Sequence, residues 1–416
     1  MTATTATLPQ EKKPMLPFQQ ALSQLLEAVS CKQKVLQQPL QQALGWVLAE
    51  DIVSPLQIPA YTNAAMDGYA FRYSDAIAEP LLTLVGQSLA GHPYEGPLPP
   101  GCCIRIMTGA KLPAELDTVV MQEQVVQPGP DKIQLNGQPK QGEHVRLAGS
   151  EISPGAVVLK KGQRLGPLQL GLAATLGFAT LPVYQQLKVG LISTGDELVA
   201  PGLPLAQGQL YDSNSVVLAA MLKRLDVVVT DYGWLADEPV QLKAAFAKAA
   251  AEMDVLITSG GVSVGDADYT RQVLTELGNV NFWQVAIKPG KPFAFGQIGH
   301  CWFFGLPGNP VSAVLTFDQL AQPALRKLAG EHWQGPQYFT AKAAAAFSKK
   351  PGRLDFQRAS FVERDGMLRA EPVGPDSSGM LSSLVTANCL AVLEQPRADV
   401  LFGDNIHIQL LSNILR

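Results

Sequence analysis

The chain has 416 residues, of which 47% are hydrophobic and 16% are charged. At roughly 150 residues for each domain, this length predicts about two to four domains, and the apolar content excludes wholesale disorder. The formal net charge of −4 excludes the global basic field that attracts nucleic acids or an anionic membrane, so an anionic ligand must be attracted locally.

The first part of the chain predicts helical segments interrupted by a β-rich insertion. Apolar residues recur at helical spacing over residues 18–29, and Pro39 predicts a second short helix as far as Leu44. From about residue 52 to residue 153 the pattern changes to short apolar runs broken by glycine and proline, which is typical of strands. Residues 168–176 return to a helical pattern, so we expect the two helical segments to pack together.

Residues 187–328 alternate between apolar strands and helices, which predicts a doubly wound α/β domain. Its strands are continuously apolar, as expected for a parallel sheet that is covered on both faces. Ligands of such sheets bind beyond the carboxyl ends of the strands. From about residue 337 short strands return, separated by glycine and proline, and they predict a small β-barrel.

The predicted fold class is therefore multidomain α/β plus β, in four parts. A three-layer α/β domain stands beside a β-rich insertion lobe, a discontinuous helical linker domain and a C-terminal β-barrel. The predicted boundaries are residues 15–52 with 154–184 for the linker, 53–153 for the lobe, 185–332 for the α/β domain and 335–416 for the barrel.

The five cysteines predict a reducing compartment. They include no Cys-x-x-Cys spacing, and the adjacent Cys102 and Cys103 suit neither a disulfide framework nor a zinc site. Residues 1–14 lack the apolar core of a signal peptide, and no run of about 18 apolar residues occurs. We therefore expect a cytoplasmic protein that binds no membrane and no nucleic acid.

Two glycine-rich loops with carboxylates follow predicted strands of the α/β domain: residues 193–198 and residues 258–269. In the second loop, Gly260 and Gly261 precede a helix, which allows backbone N–H groups to approach a phosphate at the positive helix terminus. The same pattern fits a plain turn with Asp268 as the helix N-cap. The residues of the loop do not decide between these interpretations.

A third loop, residues 306–312, combines a helix start with unusual stiffness. Asn309 is placed as an N-cap and Pro310 as the first helical residue, and the flanking prolines also suit a loop that holds a ligand at little ordering cost. Upstream, Lys288 and Lys291 stand in the sequence Lys-Pro-Gly-Lys-Pro. They fit an anion clamp, although an isolated lysine pair is more commonly a solvated turn.

Two segments of the insertion lobe are ambiguous by themselves. Asp67 precedes Gly68, which is an ordinary turn dipeptide, and Thr108 precedes Gly109 in the same way. Each side chain fits either a turn or a contact to a ligand.

Taken in order along nearly the whole chain, these segments resemble the molybdopterin molybdenumtransferase family, which includes bacterial MoeA and the E domain of gephyrin. Six segments carry the resemblance: residues 65–70, 106–110, 193–198, 259–266, 288–292 and 306–312. A seventh, Gly-Arg-Leu-Asp-Phe-Gln-Arg at 352–358, is similar to the bacterial branch. Any one segment would be weak support, whereas six in register are specific.

The resemblance implies an elongated homodimer of four-domain subunits, in which the α/β domain is a molybdopterin-binding fold and the lobe with Asp67 reaches the partner's active site. It implies a reaction that inserts molybdenum from molybdate into adenylylated molybdopterin, requires Mg²⁺ and releases AMP. The upstream adenylyltransferase is a candidate partner. The loops described above agree with this prediction. Phosphoanhydride cleavage and oxyanion binding use lysines, helix N-termini and a metal held by carboxylates, and the loops offer these groups.

Carried over by motif, the implied catalytic residues are Asp67, Thr108, Glu197, Asp237 and Asp268, and the last two are also the implied metal ligands. The implied substrate-binding residues are Ser259, Gly260, Gly261, Ser263, Lys288, Lys291, Pro307, Gly308, Asn309, Pro310, Arg358 and Ser378. The chain departs from the family pattern at Glu151, where aspartate is expected, so the role of this residue is open.

Two other functions share parts of this pattern. The adenylyltransferase of the preceding step has a similar α/β domain, but it would lack the β-rich lobe and the barrel. A gephyrin-like scaffold that clusters receptors would need further domains. A scaffold would bind its peptide regardless of substrate, so a pull-down without adenylylated pterin distinguishes the two classes.

Overall fold

The computed structural model describes residues 14–261 and 269–411. Its contacts divide the chain into two compact units. The first comprises the residues up to Ala49, Gly162–Pro167 and the residues from Thr180 onwards, and the second comprises Glu50–Lys161 and Leu168–Ala179. Within the described ranges no helix has both the length and the hydropathy needed to cross a membrane.

The first unit begins with an amphipathic helix and a short strand, α1 (Phe18–Ala28) and β1 (Val35–Pro39). Four side chains of α1 are buried at the spacing of one helix face: Phe18, Ala21, Leu22 and Leu25. The helix predicted from Pro39 to Leu44 was wrong, because only a 3₁₀ turn forms at Leu40–Gln42. Residues 35–39 form antiparallel pairs with residues 180–184, and this pairing overrides the local helix-start signal.

The second unit is built on a six-stranded sheet with paired short strands around it. Its elements are β2 (Ile52–Val53), β3 (Asn63–Ala64), β4 (Gly68–Phe71), α2 (Tyr73–Ala78), β5 (Leu81–Ser88), β6 (Cys102–Ile106), β7 (Thr118–Met121), β8 (Val125–Gly129), β9 (Lys132–Leu135), β10 (Val145–Arg146) and β11 (Val157–Leu159). The strand order is β7-β4-β6-β5-β9-β8. Ala70 belongs to one hydrophobic cluster and its neighbours Tyr69 and Phe71 to another, so apolar side chains cover both faces of the sheet. The predicted β-rich insertion is confirmed.

The α/β part of the first unit follows α3 (Pro167–Thr175) and β12 (Thr180–Tyr184). Its elements are β13 (Lys188–Thr194), β14 (Leu198–Val199), β15 (Leu210–Tyr211), α4 (Ser213–Lys223), β16 (Val228–Leu235), α5 (Pro239–Glu252), β17 (Val255–Ser259), α6 (Tyr269–Leu277), β18 (Asn279–Gln284), β19 (Ile287–Lys288), β20 (Pro292–Ile298), β21 (Cys301–Leu306), α7 (Pro310–Thr316) and α8 (Gln322–Leu328). The strand order of its sheet is β16-β13-β17-β21-β20-β18.

This sheet is parallel across β16, β13, β17 and β21, as predicted. The other two strands correct the prediction, because β20 runs antiparallel to both β21 and β18. Side chains of α4 and α7 pack in the cluster on one face, and side chains of α5 and α6 pack in the cluster on the other. The three-layer α/β architecture is therefore confirmed, with a mixed sheet in place of an all-parallel one.

The C-terminal part of the first unit is a closed five-stranded barrel. Its elements are β22 (Phe339–Ala343), β23 (Leu354–Arg364), β24 (Met367–Pro372), α9 (Ser382–Thr386), β25 (Cys389–Leu393) and β26 (Asn405–Leu410). The strand order β23-β24-β22-β26-β25 closes through pairing of β25 with β23, and β19 extends this sheet by pairing Lys288 with Asp355. The predicted barrel is confirmed, and its pairing with β19 joins it to the α/β part.

A buried carboxyl group lies in a π-helical turn, Phe317–Ala321, between α7 and α8. Gln319 donates an amide hydrogen bond to Asp318 and another to Gln409 Oε1 at 2.9 Å. Burial raises the pKa of Asp318 to about 7. The folded state therefore favours the neutral carboxylic acid, and ionisation of Asp318 opposes folding.

We expect Asp318→Asn to be more stable than the parent protein at pH 8. In the parent, the pKa of Asp318 is higher in the folded than in the unfolded protein, so the parent loses stability as the pH rises from the unfolded pKa through the folded pKa. Asparagine does not ionise and escapes this loss, so the variant gains at most about 4 kcal/mol above pH 7. Less than half of that gain should remain at pH 5. Thermal unfolding at the two pH values measures it, with the exposed Asp131→Asn as control. A gain that does not depend on pH would contradict the titration of Asp318.

Candidate active site

A cavity of about 700 Å³ opens where β13, β17 and β21 end. Twelve of the predicted site residues line it: Glu197, Asp237, Ser259, Gly260, Gly261, Lys288, Lys291, Pro307, Gly308, Asn309, Pro310 and Ser378. Other lining residues were not predicted, among them Tyr211, Asn214, Ser312, Arg353 and Asp376. Ser263 and Asp268 lie outside the described residues. The cavity thus brings together most of the loops that the sequence singled out.

The loop after β17 needs glycine at two successive positions. Gly260 and Gly261 have φ angles of +94° and +63°, which L side chains rarely adopt. A Cβ atom on Gly260 would lie 2.4 Å from the carbonyl oxygen of Thr194. The backbone N–H of Gly260 donates to the carbonyl of Leu306 at 3.1 Å. Glycine therefore lets this loop pass close to the ends of both neighbouring strands.

Asn214, in the first turn of α4, ties two of the loops together. Its Nδ2 donates to Ser259 Oγ at 2.8 Å and to the carbonyl of Gly308 at 2.7 Å. Asp212 caps α4 by accepting from the backbone N–H of Ser215 at 3.1 Å. The sequence around 212–214 marks only a helix start, and no local pattern identifies an asparagine that bridges distant loops.

Asn309 has the predicted N-cap position, but its side chain makes a different contact. Pro310 begins α7 and Asn309 forms no side-chain cap hydrogen bond. Its Nδ2 instead donates to Ser378 Oγ at 3.1 Å. The predicted helix start is therefore confirmed, but the Asn309 side chain does not cap the helix. Its bond to Ser378 links the α/β part to the barrel and places both residues on the lining of the cavity.

We call Glu197 and Asp237 the acidic half of the cavity. The backbone N–H of Asp237 donates to Asp196 Oδ1 at 3.1 Å, so a third carboxylate lies next to Asp237. Burial raises the pKa of Asp237, and repulsion from Asp196 and Glu197 raises it further. The acidic half is therefore short of positive charge, and a bound cation would relieve the repulsion.

We call Lys288, Lys291 and Arg353 the cationic half of the cavity. Lys288 lies 2.5 Å from Asp376 and 3.7 Å from Asp355, of which Asp355 is almost fully buried. Lys291 is exposed. The cationic half therefore combines a lysine that is held by two carboxylates with a lysine that faces solvent.

The structure places Arg358 behind this cavity and not on its lining. Arg358 is only 3% exposed. Its guanidinium donates to Asp376 Oδ1 at 2.8 Å, to Ser383 Oγ at 3.0 Å and to the carbonyls of Pro375 and Ser377. Arg358 thus holds the segment that carries Asp376 and Ser378. The arginine that lines the cavity is Arg353, five residues earlier.

A buried lysine, Lys349, holds the backbone at Arg353 of the cationic half. The Lys349 side chain is fully buried, and its Nζ donates to the carbonyl of Arg353 at 2.7 Å and lies 3.8 Å from Asp355. Burial lowers the pKa of this ammonium group. Because lysine is almost never fully buried unless it is paired, its hydrogen bond to the backbone of Arg353 fixes the turn from which that arginine enters the cavity.

In the second unit, Asp67 and Thr108 form one hydrogen-bonded pair. Both the backbone N–H and the Oγ1 hydroxyl of Thr108 donate to Asp67 Oδ1 at 2.7 Å. These bonds, with a smaller contribution from Arg105, lower the pKa of Asp67. The structure therefore joins two predicted catalytic residues in one hydrogen-bonded pair, while their part in a reaction stays a prediction.

No group of three or more His, Cys, Asp or Glu side chains in the described ranges is arranged to hold a metal ion. The predicted pair of ligands, Asp237 and Asp268, cannot be assessed as a pair because Asp268 lies outside those ranges. The chemistry of the acidic half nevertheless fits Mg²⁺, which prefers one or two carboxylates together with phosphate oxygens and water.

Three family models match successive parts of the chain. The MoeA N-terminal region (domains I and II) matches residues 16–177, a probable molybdopterin-binding domain matches residues 190–327, and the MoeA C-terminal region (domain IV) matches residues 340–411. These matches include the sheet of the second unit, the cavity loops and the barrel.

Individual relatives extend the similarity over almost the whole chain. The molybdopterin molybdenumtransferase of Haemophilus influenzae is 44% identical over 403 residues, which are 96% of this chain and 100% of that protein. Molybdopterin molybdenumtransferase 2 of Mycobacterium tuberculosis is 35% identical over 89% of this chain and 93% of its own length. The crystal structure of a molybdopterin biosynthesis moeA protein from Pyrococcus horikoshii matches 95% of this chain and 100% of that chain, with a TM-score of 0.82 at 28% identity.

Proposed function

The chain belongs to the MoeA family of molybdopterin molybdenumtransferases, and from this membership we propose that it inserts molybdate into adenylylated molybdopterin with release of AMP. Membership in this family makes it an enzyme of molybdenum cofactor biosynthesis. The substrate, the requirement for Mg²⁺ and the release of AMP are the parts that we propose.

The observation that carries this proposal is the division of one cavity into an acidic half and a cationic half. Molybdate is a doubly charged tetrahedral oxyanion, so Lys288, Lys291 and Arg353 supply the charge that binds it. Mg²⁺ binds carboxylates and phosphate oxygens, so Glu197 and Asp237 suit the metal. A reaction that joins an oxyanion to a phosphorylated pterin needs both halves within one cavity.

The loops between the two halves suit the adenylyl phosphates. Gly260 and Gly261 carry no side chain next to the end of β17, so a phosphate can come close to this loop, where the N–H of Gly260 already donates to Leu306. Asn214 holds the loop against Gly308. Breaking the phosphoanhydride bond leaves negative charge on both phosphates, and cations placed before the reaction stabilise that charge without reorganisation. Mg²⁺ would supply part of this neutralisation at Asp237.

We also propose that the protein is a cytoplasmic homodimer that receives its pterin substrate from the upstream adenylyltransferase. A symmetric dimer is the commonest assembly of soluble enzymes. Sedimentation of the purified protein tests the dimer, and a mass of one subunit would reject it. Binding of the adenylyltransferase is tested separately by titrating one purified protein with the other.

The function itself is tested by mixing the purified protein with adenylylated molybdopterin, Mg²⁺ and molybdate and following AMP by chromatography. We expect AMP release that depends on molybdate and on Mg²⁺, together with formation of molybdenum cofactor. Omitting molybdate is the matched control. No AMP above that control, from protein with a native unfolding profile, would overturn the proposal.

A further inference from the structure

An aromatic side chain lies on the wall of the cavity and has no role in the site described above. Tyr211, in β15, lines the cavity and is 45% exposed. Among the described residues that line the cavity, Tyr211 alone has an aromatic side chain. Leu198 and Leu210 lie on the same wall, and Leu210 is 61% exposed. Exposed apolar side chains that share a cavity wall indicate surface that a ligand covers.

The ring of Tyr211 is held in place before any ligand binds. Its hydroxyl donates to the carbonyl of Leu203 at 2.8 Å, and its backbone pairs with Val199 of β14. The ring needs no further partner for its hydroxyl, so its face is the part left for a ligand. A fixed aromatic ring binds a flat group at little cost in conformational entropy.

The position of Tyr211 along the chain relates it to the two loops that we propose for the adenylyl phosphates. Three residues later, Asn214 is bonded to Ser259 and to Gly308, so the start of α4 is tied to both loops. A ligand whose phosphate lies at Gly260 and Gly261 therefore has the wall of Tyr211 within the same cavity.

We propose that Tyr211 stacks against a planar heteroaromatic ring of the substrate, either the adenine or the pterin. This inference rests on the proposed function, whose substrate carries both rings. Every such ring presents a π-face, and stacking of a base on an aromatic side chain contributes enough to weaken binding roughly tenfold when the side chain is removed. Tyr211 is thus a substrate-binding residue for the heterocycle and not for the oxyanion.

The test compares Tyr211→Ala and Tyr211→Phe with the parent protein by equilibrium titration. The probes are AMP, 6-hydroxymethylpterin, molybdate and ribose 5-phosphate, the last of which carries the phosphate of AMP without its base. The matched control is Leu205→Ala, which removes an exposed apolar side chain of the same segment that does not line the cavity. Thermal unfolding of each variant checks that the fold is kept.

We expect Tyr211→Ala to weaken binding of AMP or of the pterin about tenfold, and the probe that is affected identifies the ring that stacks. Tyr211→Phe should retain affinity within about threefold, because it keeps the ring. Ribose 5-phosphate and molybdate should bind Tyr211→Ala as they bind the parent. Unchanged affinity for both heterocycles would overturn the stacking role, and so would an equal loss for ribose 5-phosphate. If the parent binds neither AMP nor the pterin, this inference fails, whereas the proposed function is decided separately by AMP release.

Discussion

The Asp237→Asn variant is expected to lose about 100-fold in the rate of AMP release while its fold becomes more stable. The loss follows from removing a carboxylate of the acidic half that is proposed to hold Mg²⁺. The gain follows from the raised pKa of Asp237, whose charge is disfavoured by burial, by Asp196 and by Glu197. Asparagine keeps the shape of the side chain and removes that charge.

The sign of the stability change depends on pH. Because the folded pKa of Asp237 lies above its unfolded value, the ionised side chain opposes folding at neutral pH, and this penalty disappears as the pH falls below the unfolded value. The variant should therefore unfold at a higher temperature at pH 7.5, with a smaller difference at pH 5. In the parent, activity should decline as the pH falls through the raised pKa of Asp237, since the proposed metal site needs the ionised carboxylate.

Asp231→Asn is the matched control for Asp237→Asn. Asp231 lies in β16, is exposed and does not line the cavity. Its replacement should leave both AMP release and its Mg²⁺ dependence unchanged. Parental turnover in Asp237→Asn at limiting Mg²⁺ would remove Asp237 from the metal site, and a lower unfolding temperature at pH 7.5 would contradict the charge repulsion.

The second large effect is expected for Lys288→Met, which should raise the molybdate concentration for half-maximal rate on the order of 100-fold. At about 6 Å and an effective dielectric constant of about 40, one positive charge attracts a dianion by about 3 kcal/mol, which corresponds to that factor. Loss of Lys288 also leaves Asp376 and Asp355 less neutralised beside the proposed oxyanion site. The exposed Lys291 is screened by water, so Lys291→Met should shift the response only about tenfold.

A compensating variant separates local charge from loss of structure. If Lys288 acts by its charge, Lys288→Met combined with Asp376→Asn should recover about tenfold of the lost molybdate response, since a nearby negative charge is removed as well. Steady-state AMP release against molybdate concentration measures both variants. A molybdate response unchanged in Lys288→Met would make the lysine a structural residue. Asp376 also accepts from the buried Arg358, so thermal unfolding must show that the double variant is as stable as the single one. A double variant of equal stability that is no better than the single one would exclude the charge argument.

The sequence predicts the cavity loops well because each is a glycine-rich segment directly after an apolar strand, and parallel strands end on the same side of their sheet. It does not identify which arginine faces the cavity. Arg353 and Arg358 stand five residues apart in one motif, and only the register of β23 against β19 and β25 decides which one is buried. Local sequence carries no information about that register.

The same reason explains the other differences. Residues 35–39 form a strand because residues 180–184 lie beside them, and Asn309 bonds Ser378 because the barrel brings that serine close. Asn214 connects two loops that follow it by 45 and 94 residues. Each contact joins segments that are distant in sequence, whereas helix periodicity, apolar strands and glycine turns are local and were predicted.

The cavity takes its side chains from two parts of the fold, the α/β part and the barrel, which the pairing of β19 with β23 joins. The acidic half and the glycine loops belong to residues 190–327, whereas Arg353, Asp376 and Ser378 come from the barrel. An α/β module without the barrel would retain the surface for a nucleotide but would lack these three groups. The α/β module supplies Lys288 and Lys291. The barrel adds Arg353 and also Asp376, the carboxylate that holds Lys288 in place. The cationic half is thus complete only where the two modules are joined, so its geometry depends on how firmly the barrel is docked.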